Sequence, residues 1–524
     1  MRIALVHAPI DSTVSDRALG YQTPLGLLML AGPLLDHGHQ VELLDAAHDR
    51  CTDAEIVRRL EVVRPDVVMV GHSASTKAHA DSLRLLRAIK RALPTVVTIY
   101  GGVHPTYHCE EILAEDAAVD VVVRGEGEAT VLGLITMLSH ARASSGNDSS
   151  CGERLGDLSA VAGIAWRCDG RVVLNVSRVP IEDLDAHRIA WELITDWEKY
   201  QAFGLGRTAV VQFSRGCPHR CTYCGQWSFW QRWRHRDVAR FVDELEFLHR
   251  EQGVRFFWFA DENATTDKRV WQALLEEIAC RNMGTGMTAS LRAQDVVRDS
   301  GILDLYRRAG FLYVLMGVET VSDETLKKIR KGSTVDDAYQ AVRLLRKHGI
   351  LSIIDYVFGL EEETPQTIRQ ALRGLNQYDS DFVNALCLTP YGWTSTGREM
   401  QSRGIIEADL RKWDCRHQVV ALKGLTPTQL FFGAKLVEFL YHLHPRRLWR
   451  AATTPDRRLR QHFRFAYRHV AGVFWDEISE FLRSRSRFAS KSGNKGLERE
   501  QPTRPTQNES SHFPVGVVPE TKMQ

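Results

Sequence analysis

The chain has 524 residues, 44% of them hydrophobic and 25% charged, which excludes a collagenous, wholly disordered or polytopic membrane chain. At ~100–200 residues per domain, this length holds about three units with sizeable cores. Lys and Arg number 67 against 65 Asp and Glu, a formal charge of +2, so no global field points to nucleic acid as a partner.

The start, Met1–Ile10, enters a strand-like run with no long apolar stretch, so no secretory signal is expected and a cytoplasmic setting follows. Pro24–Leu35, the longest nearly apolar stretch, is shorter than the ~20 residues of a spanning helix. It reads as a core helix, and no membrane span is expected. From residue 1 to 140, β-rich runs (Arg2–Ala8, Val41–Asp45, Asp66–Gly71, Val96–Gly101, Val119–Arg124) alternate with helical ones. This alternation predicts a doubly wound, Rossmann-like α/β domain. Ligands of such sheets bind at the carboxyl ends of the strands. Those ends carry Gly71–Ser75, which includes Ser73, then Gly101-Gly102-Val103-His104-Pro105 and Gly125-Glu126-Gly127.

Residues 141–205 read as a linker with a small β-hairpin: Ser144–Gly152 is polar, and Ala162–Trp166 and Val172–Val176 flank the turn Asp169-Gly170. From 206 to 425 a second alternation has strands near Thr208–Ser214, Phe256–Ala260, Met287–Arg292, Tyr313–Gly317, Ser352–Phe358 and Phe382–Leu388, with helices between them. Such a series predicts a partial (β/α)6, TIM-like barrel with its chemistry at the carboxyl ends of the strands. Residues 426–489 predict a helical carboxyl-terminal region whose Arg-rich, aromatic stretch reads as a solvated face rather than a binding surface. Residues 490–524 predict a disordered tail.

Cys51, Cys109, Cys151, Cys168, Cys280, Cys387 and Cys415 are scattered and read as small buried hydrophobes. Cys217, Cys221 and Cys224 are not scattered, because they share one loop directly after the first barrel strand. Three thiolates at these offsets can hold one face of a 4Fe-4S cluster and leave one iron open. Zinc would need a fourth soft ligand, and His219 lies inside the loop at the wrong spacing for a usual finger.

The Cys-x3-Cys-x2-Cys signature resembles that of the radical S-adenosylmethionine enzymes. The resemblance implies a 4Fe-4S cluster on Cys217, Cys221 and Cys224, with Tyr223 near the adenine of S-adenosylmethionine. It places Asp261 and Glu262 toward the amino group of the methionine moiety, and Ser290 and Arg292 toward ribose and carboxylate. Gly317 and Glu319 line the same pocket. The implied mechanism is one-electron reduction of the sulfonium, release of a 5′-deoxyadenosyl radical and abstraction of hydrogen from an unactivated carbon. An external electron donor of the ferredoxin or flavodoxin type is implied as well.

A doubly wound domain ahead of such a barrel resembles the cobalamin-binding domain of cobalamin-dependent radical enzymes. Ser73, Gly101, Gly102, His104, Gly125, Glu126 and Gly127 are the implied cobalamin contacts. No Asp-x-His-x-x-Gly is present, so no histidine is expected on the cobalt, and His104 is expected at the periphery of the cofactor or within its own loop.

Gly225–Trp230 with Trp233, Arg234 and Arg236, followed by Phe257–Glu262, resembles the anaerobic magnesium-protoporphyrin IX monomethyl ester cyclase family. That family forms the isocyclic ring of protochlorophyllide without oxygen, in bacteriochlorophyll biosynthesis, and the implied partner is a porphyrin-like small molecule. Trp227, Trp230 and Trp233 suit a flat macrocycle and equally suit packing beneath the cluster loop. A cobalamin-dependent radical methyltransferase or C–C bond-forming enzyme is the second reading, and a non-catalytic cobalamin-binding sensor the third. No side chain is assigned to catalysis itself.

Overall fold

The computed structural model describes residues 1–10, 21–71, 76–145, 155–168 and 170–492. The predicted Ser73, most of the Ser144–Gly152 stretch, Cys151, Asp169 and residues 493–524 of the expected tail lie outside the described residues. By backbone contacts the chain divides into Met1–Val473 and Phe474–Gln524.

The amino-terminal sheet begins with β1 (Arg2–His7), β2 (Gln40–Asp45), β3 (Val67–Gly71), β4 (Val97–Gly101) and β5 (Val121–Val123). Its inner strands are almost wholly buried runs such as VVMVG and VTIYG, as expected of a parallel sheet covered on both faces. The period of two splits β1 cleanly. Ala4 and Val6 join one core with Leu85, Leu86 and Ile112, while Ile3 and Leu5 join the opposite core with Leu27, Leu34 and Leu134.

The hairpin expected within 141–205 forms as β6 (Ile164–Cys168) and β7 (Arg171–Leu174). It is not free-standing: β6 pairs antiparallel with β5, and the full order is β2-β1-β3-β4-β5-β6-β7. Val123 and Ile164 are both fully or nearly buried, so the hairpin covers an edge that would otherwise leave backbone groups unpaired. The order reverses between β1 and β3, the point where doubly wound sheets open a crevice at their carboxyl ends.

The second sheet holds β8 (Thr208–Val211), β11 (Phe256–Phe259), β12 (Gly286–Leu291), β13 (Phe311–Glu319), β14 (Leu351–Phe358) and β15 (Phe382–Cys387), all parallel in the order β15-β14-β13-β12-β11-β8. Between β8 and β11, a two-residue ladder joins β9 (Ser214–Arg215) to β10 (Arg234–His235). The outer helices start where the sequence caps them. Thr334 and Thr364 each close a reciprocal capping box, and Pro365 follows Thr364 at the first helical position. Six strands leave the barrel open, as expected.

The carboxyl-terminal helices take a role that charge patterning did not predict. Leu459 and Phe463 pack with Phe203, Phe256, Tyr313, Leu351 and Phe382. Phe256, Leu351 and Phe382 are the first residues of their strands, so this cluster plugs the amino-terminal mouth of the barrel. His462 stacks on Tyr313 within it, centroids 5.0 Å apart. Arg447 is buried, donating to the carbonyl oxygens of Ser380 and Tyr441. Arg450 pairs with Asp379 and Asp381. These two arginines are structural cations, not the solvated face that their spacing suggests.

Candidate active site

The loop after β8 is shaped before any ligand enters it. Gly216 has φ +89°, and a Cβ there would overlap the Arg232 carbonyl, so only glycine lets the chain turn from β9 into Cys217. Downstream, the Thr222 amide donates to the Ile329 carbonyl at 3.0 Å and the Thr396 amide to the Thr222 carbonyl at 3.0 Å. The Trp227 indole donates to the Cys221 carbonyl at 3.3 Å. Cys221 is buried, Cys217 and Cys224 are partly so, and all three are free thiols. Burial raises each of them, Cys224 to about 11, while Lys331 and Arg292 act in the opposite sense on Cys221. Three unpaired thiols in one loop beside two cations are a donor set for an anionic thiolate cluster. Among the described residues no group of three or more His, Cys, Asp or Glu side chains could hold a single metal ion.

The residues expected around S-adenosylmethionine divide in two. Tyr223 donates its hydroxyl to Glu319 at 2.8 Å and accepts from the Lys331 ammonium at 3.0 Å, and Lys331 also binds Glu319 at 2.5 Å. Gly317 makes room for this triad, since a Cβ would run into the Glu319 carboxylate and the Lys331 ammonium. Arg292 donates to the Lys331 carbonyl and contacts His219, while its buried Nε has no partner among the described residues. An orphaned guanidinium N–H at this strand end is the feature a ligand carboxylate would satisfy. Ser290, on β12, is half-buried. By contrast, Asp261 is directed into the fold. It accepts from the Phe213 amide at 3.1 Å and from the Ser214 amide and hydroxyl at 2.5 and 2.6 Å. Burial raises it to about 6. Glu262 accepts from the Gly216 amide at 3.2 Å and is raised to about 8 by burial and then by the negative charge of Asp261. These two carboxyls brace the cluster loop.

The expected cobalamin residues divide similarly. Gly101, Gly102 and Gly125 lie at the carboxyl ends of β4 and β5, and a Cβ on Gly125, at φ +73°, would meet open space. Gly127 is a packing glycine, because a Cβ would come within 2.8 Å of Leu30. The Glu126 carboxylate, a cofactor contact on the sequence reading, is engaged by the barrel and the linker: Arg234 donates to it at 2.6 Å, the linker Ile181 amide at 2.8 Å, and Arg215 lies at 3.6 Å. His104 is buried, bonded to Thr76 at 3.1 Å and stacked on His108 at 4.4 Å.

Several residues at this junction carried no local signal. Arg215 pairs with Glu128 and lies 5.3 Å from the centre of the Trp230 ring. Trp393 stacks with both Tyr107 and Tyr391, at 4.8 and 4.9 Å, and donates to the Gly225 carbonyl at 3.2 Å. Tyr107 also bonds Ser228 at 2.6 Å. These contacts bring the strand-end loops of the first sheet against the cluster loop of the second. Trp227, Trp230 and Trp233 are all half-buried. On β14, Asp355 is the cross-strand neighbour of Gly317 on one side and of Asn384 on the other, and the Asn384 amide donates to Asp355 at 2.8 Å. Burial raises Asp355 to about 7. Outside this site, Cys51, Cys109 and Cys387 are buried as expected, whereas Cys280 is exposed.

Residues 12–135 match the B12 binding domain model and residues 211–375 the radical SAM superfamily model. The anaerobic magnesium-protoporphyrin IX monomethyl ester cyclase of Synechocystis sp. is 43% identical over 475 residues, covering 91% of this chain and 90% of that protein. The chain belongs to the anaerobic magnesium-protoporphyrin IX monomethyl ester cyclase family. The cyclase of Rubrivivax gelatinosus is 32% identical over 403 residues, 76% of this chain and 70% of that one. Among solved structures, the radical S-adenosylmethionine methyltransferase TsrM of Kitasatospora setae superposes with a TM-score of 0.65 at 18% identity, over 85% of this chain and 90% of that one, which shows a shared fold. As a cobalamin-binding radical S-adenosylmethionine enzyme, this cyclase family member uses a 4Fe-4S cluster, S-adenosylmethionine and cobalamin. Among the described residues no helix is long and apolar enough to cross a membrane.

Proposed function

We propose that this protein converts magnesium-protoporphyrin IX monomethyl ester into protochlorophyllide without oxygen, closing the isocyclic ring from the 13-propionate methyl ester. Identity of 43% across 91% of the chain to a cyclase carries the reading. The cluster and S-adenosylmethionine, when bound, supply a 5′-deoxyadenosyl radical able to take hydrogen from an unactivated carbon.

The protein's own residues place and shield that chemistry. Cys217, Cys221 and Cys224 are the cluster ligands. The orphaned Nε of Arg292 receives the carboxylate of S-adenosylmethionine, and Ser290, Tyr223, Gly317 and Glu319 line its pocket. Asp261 and Glu262 hold the loop from below. Gly101, Gly102, Gly125 and His104 face cobalamin, whereas Glu126 and Gly127 serve domain contact and packing. Asp355, steadied by Asn384, is the polar group that the barrel presents to the macrocycle. The protein works in the cytoplasm and draws electrons from a ferredoxin- or flavodoxin-type donor.

Anaerobic reconstitution with iron and sulfide, then incubation with cobalamin, S-adenosylmethionine, reductant and the porphyrin ester, tests this by mass spectrometry. Protochlorophyllide together with 5′-deoxyadenosine is the expected result. Deoxyadenosine with untouched porphyrin overturns the substrate, and methylated porphyrin moves the protein to the methyltransferases. Neither product from cluster-loaded protein makes it a binding protein.

A further inference from the structure

The cluster loop has an outer side as well as the side that faces the barrel. The helix Asp323–Lys328 ends beside it, tethered through the hydrogen bond from the Thr222 amide to the Ile329 carbonyl, between the second and third cysteines. Four cations stand exposed on these adjoining segments: Lys327, Lys328 and Arg330 on one, and Arg220 on the cluster loop itself. Among the described residues none of the four forms an ion pair, whereas Lys331, the next residue inward, is buried against Glu319 and Tyr223. Lysines in the last turn of a helix favour its dipole, which accounts for Lys327 and Lys328 alone. Arg330 lies beyond the helix with φ +54°, and Arg220 belongs to a different element. Of the acidic residues on the same helix, Asp323 is engaged by the Val335 amide and Glu324 lies one turn before Lys327 and Lys328 on the same face, while Glu361 accepts from the Thr325 hydroxyl. The four exposed cations outnumber the three carboxylates on and against this helix, Asp323, Glu324 and Glu361, and among the described residues none of the four is held in an ion pair.

We propose that Arg220, Lys327, Lys328 and Arg330 form the docking surface for an acidic protein that carries a low-potential one-electron centre. The inference rests on the radical reading above, which requires one electron at the cluster for each S-adenosylmethionine cleaved. Complementary charge at the point of delivery steers encounter and sets orientation, and its effect fades with salt. These cationic side chains around the loop bring the partner's acidic rim toward the cysteines, and the backbone tether keeps that rim in register with them.

The test uses the full-length, cluster-loaded protein and reads initial rates of 5′-deoxyadenosine formation with two reductants. One is a reduced acidic ferredoxin, and the other is reduced methyl viologen, a small cation. For K327E/K328E/R330E, the ferredoxin-driven rate is expected to fall ~10-fold or more at low salt and to recover as salt is raised, the reverse of the wild-type dependence. The viologen-driven rate should hold within about twofold, and K327Q/K328Q should lie between wild type and the triple variant. A ferredoxin-driven rate unchanged in the triple variant overturns the proposal, as does an equal fall with both reductants, which would mark structural damage. Wild-type protein that forms no deoxyadenosine with methyl viologen overturns the radical reading itself, and the docking surface with it.

Discussion

Tyr107 and Trp393 lie with their ring planes 4° apart and their centroids 4.8 Å apart. Tyr107 follows the Gly101-Gly102 turn at the end of β4, and Trp393 follows β15 and hydrogen-bonds Gly225, the residue after the third cysteine. One stacked pair therefore ties the candidate cobalamin end of the first sheet to the candidate cluster end of the second. Aromatic pairs contribute ~0.5–1.5 kcal/mol each beyond burial, and a hydrogen bond ~1 kcal/mol. With Tyr391 stacked on Trp393 as well, W393A is expected to cost ~2–4 kcal/mol, whereas W393F loses mainly the hydrogen bond. Thermal unfolding of both variants checks the order. The idea fails if W393A melts with wild type, or if limited proteolysis finds the cut sites between the domains no more open.

Arg215 and Glu128 are buried partners on opposite sides of the domain junction. Removing one strands the other charge in a low-dielectric setting, which typically costs ~3–5 kcal/mol. R215M and E128Q are each expected to be strongly destabilised, and the double variant less than their sum by ~1–3 kcal/mol. A double-mutant cycle on chemical denaturation reads the coupling directly. Strict additivity would show that the pair is coincidental.

Gly216 sets the entry to the three-cysteine loop. A methyl group at G216A would overlap the Arg232 carbonyl on a backbone already at φ +89°. Displacement of Cys217 should follow, so iron bound after reconstitution is expected to fall to less than half of wild type while the fold persists by far-UV circular dichroism. Full iron loading in G216A would show that the loop tolerates the shift.

His462, buried in the aromatic plug, is pushed down to about 4 by that burial. It stays neutral in the fold and charges near ~6.5 in the unfolded chain. Between those values the unfolded chain binds more protons, so this contribution to stability is complete above ~6.5 and is lost as pH falls toward 4. H462F retains an aromatic ring against Tyr313 and removes the titration. Its melting temperature should fall less than that of wild type between pH 7.5 and 5. Parallel pH curves for the two proteins would rule out His462 as the titrating group.

Much of the architecture was legible because its determinants are local. The period of two in β1, the capping boxes at Thr334 and Thr364 and the three cysteines within one loop each occupy a short window, where neighbouring residues dictate backbone direction. The same locality placed Gly101, Gly125, Arg292 and Glu319 at strand ends. Where a side chain points from such an end is another matter, because that depends on what the rest of the chain brings there. Glu126 turns to Arg234 across 108 residues of sequence, Arg215 finds Glu128 across 87, and Tyr107 reaches Ser228 across 121. The carboxyl-terminal arginines read as a solvated face because composition records charge and not the carbonyl oxygens of Ser380 and Tyr441 that receive it. From the sequence alone came the two α/β units and the loop that gathers three cysteines, since periodicity and spacing are properties of contiguous residues. Only tertiary structure decided which carboxylates brace the loop and which bind the two domains together, because a buried charge takes the partner that packing places beside it.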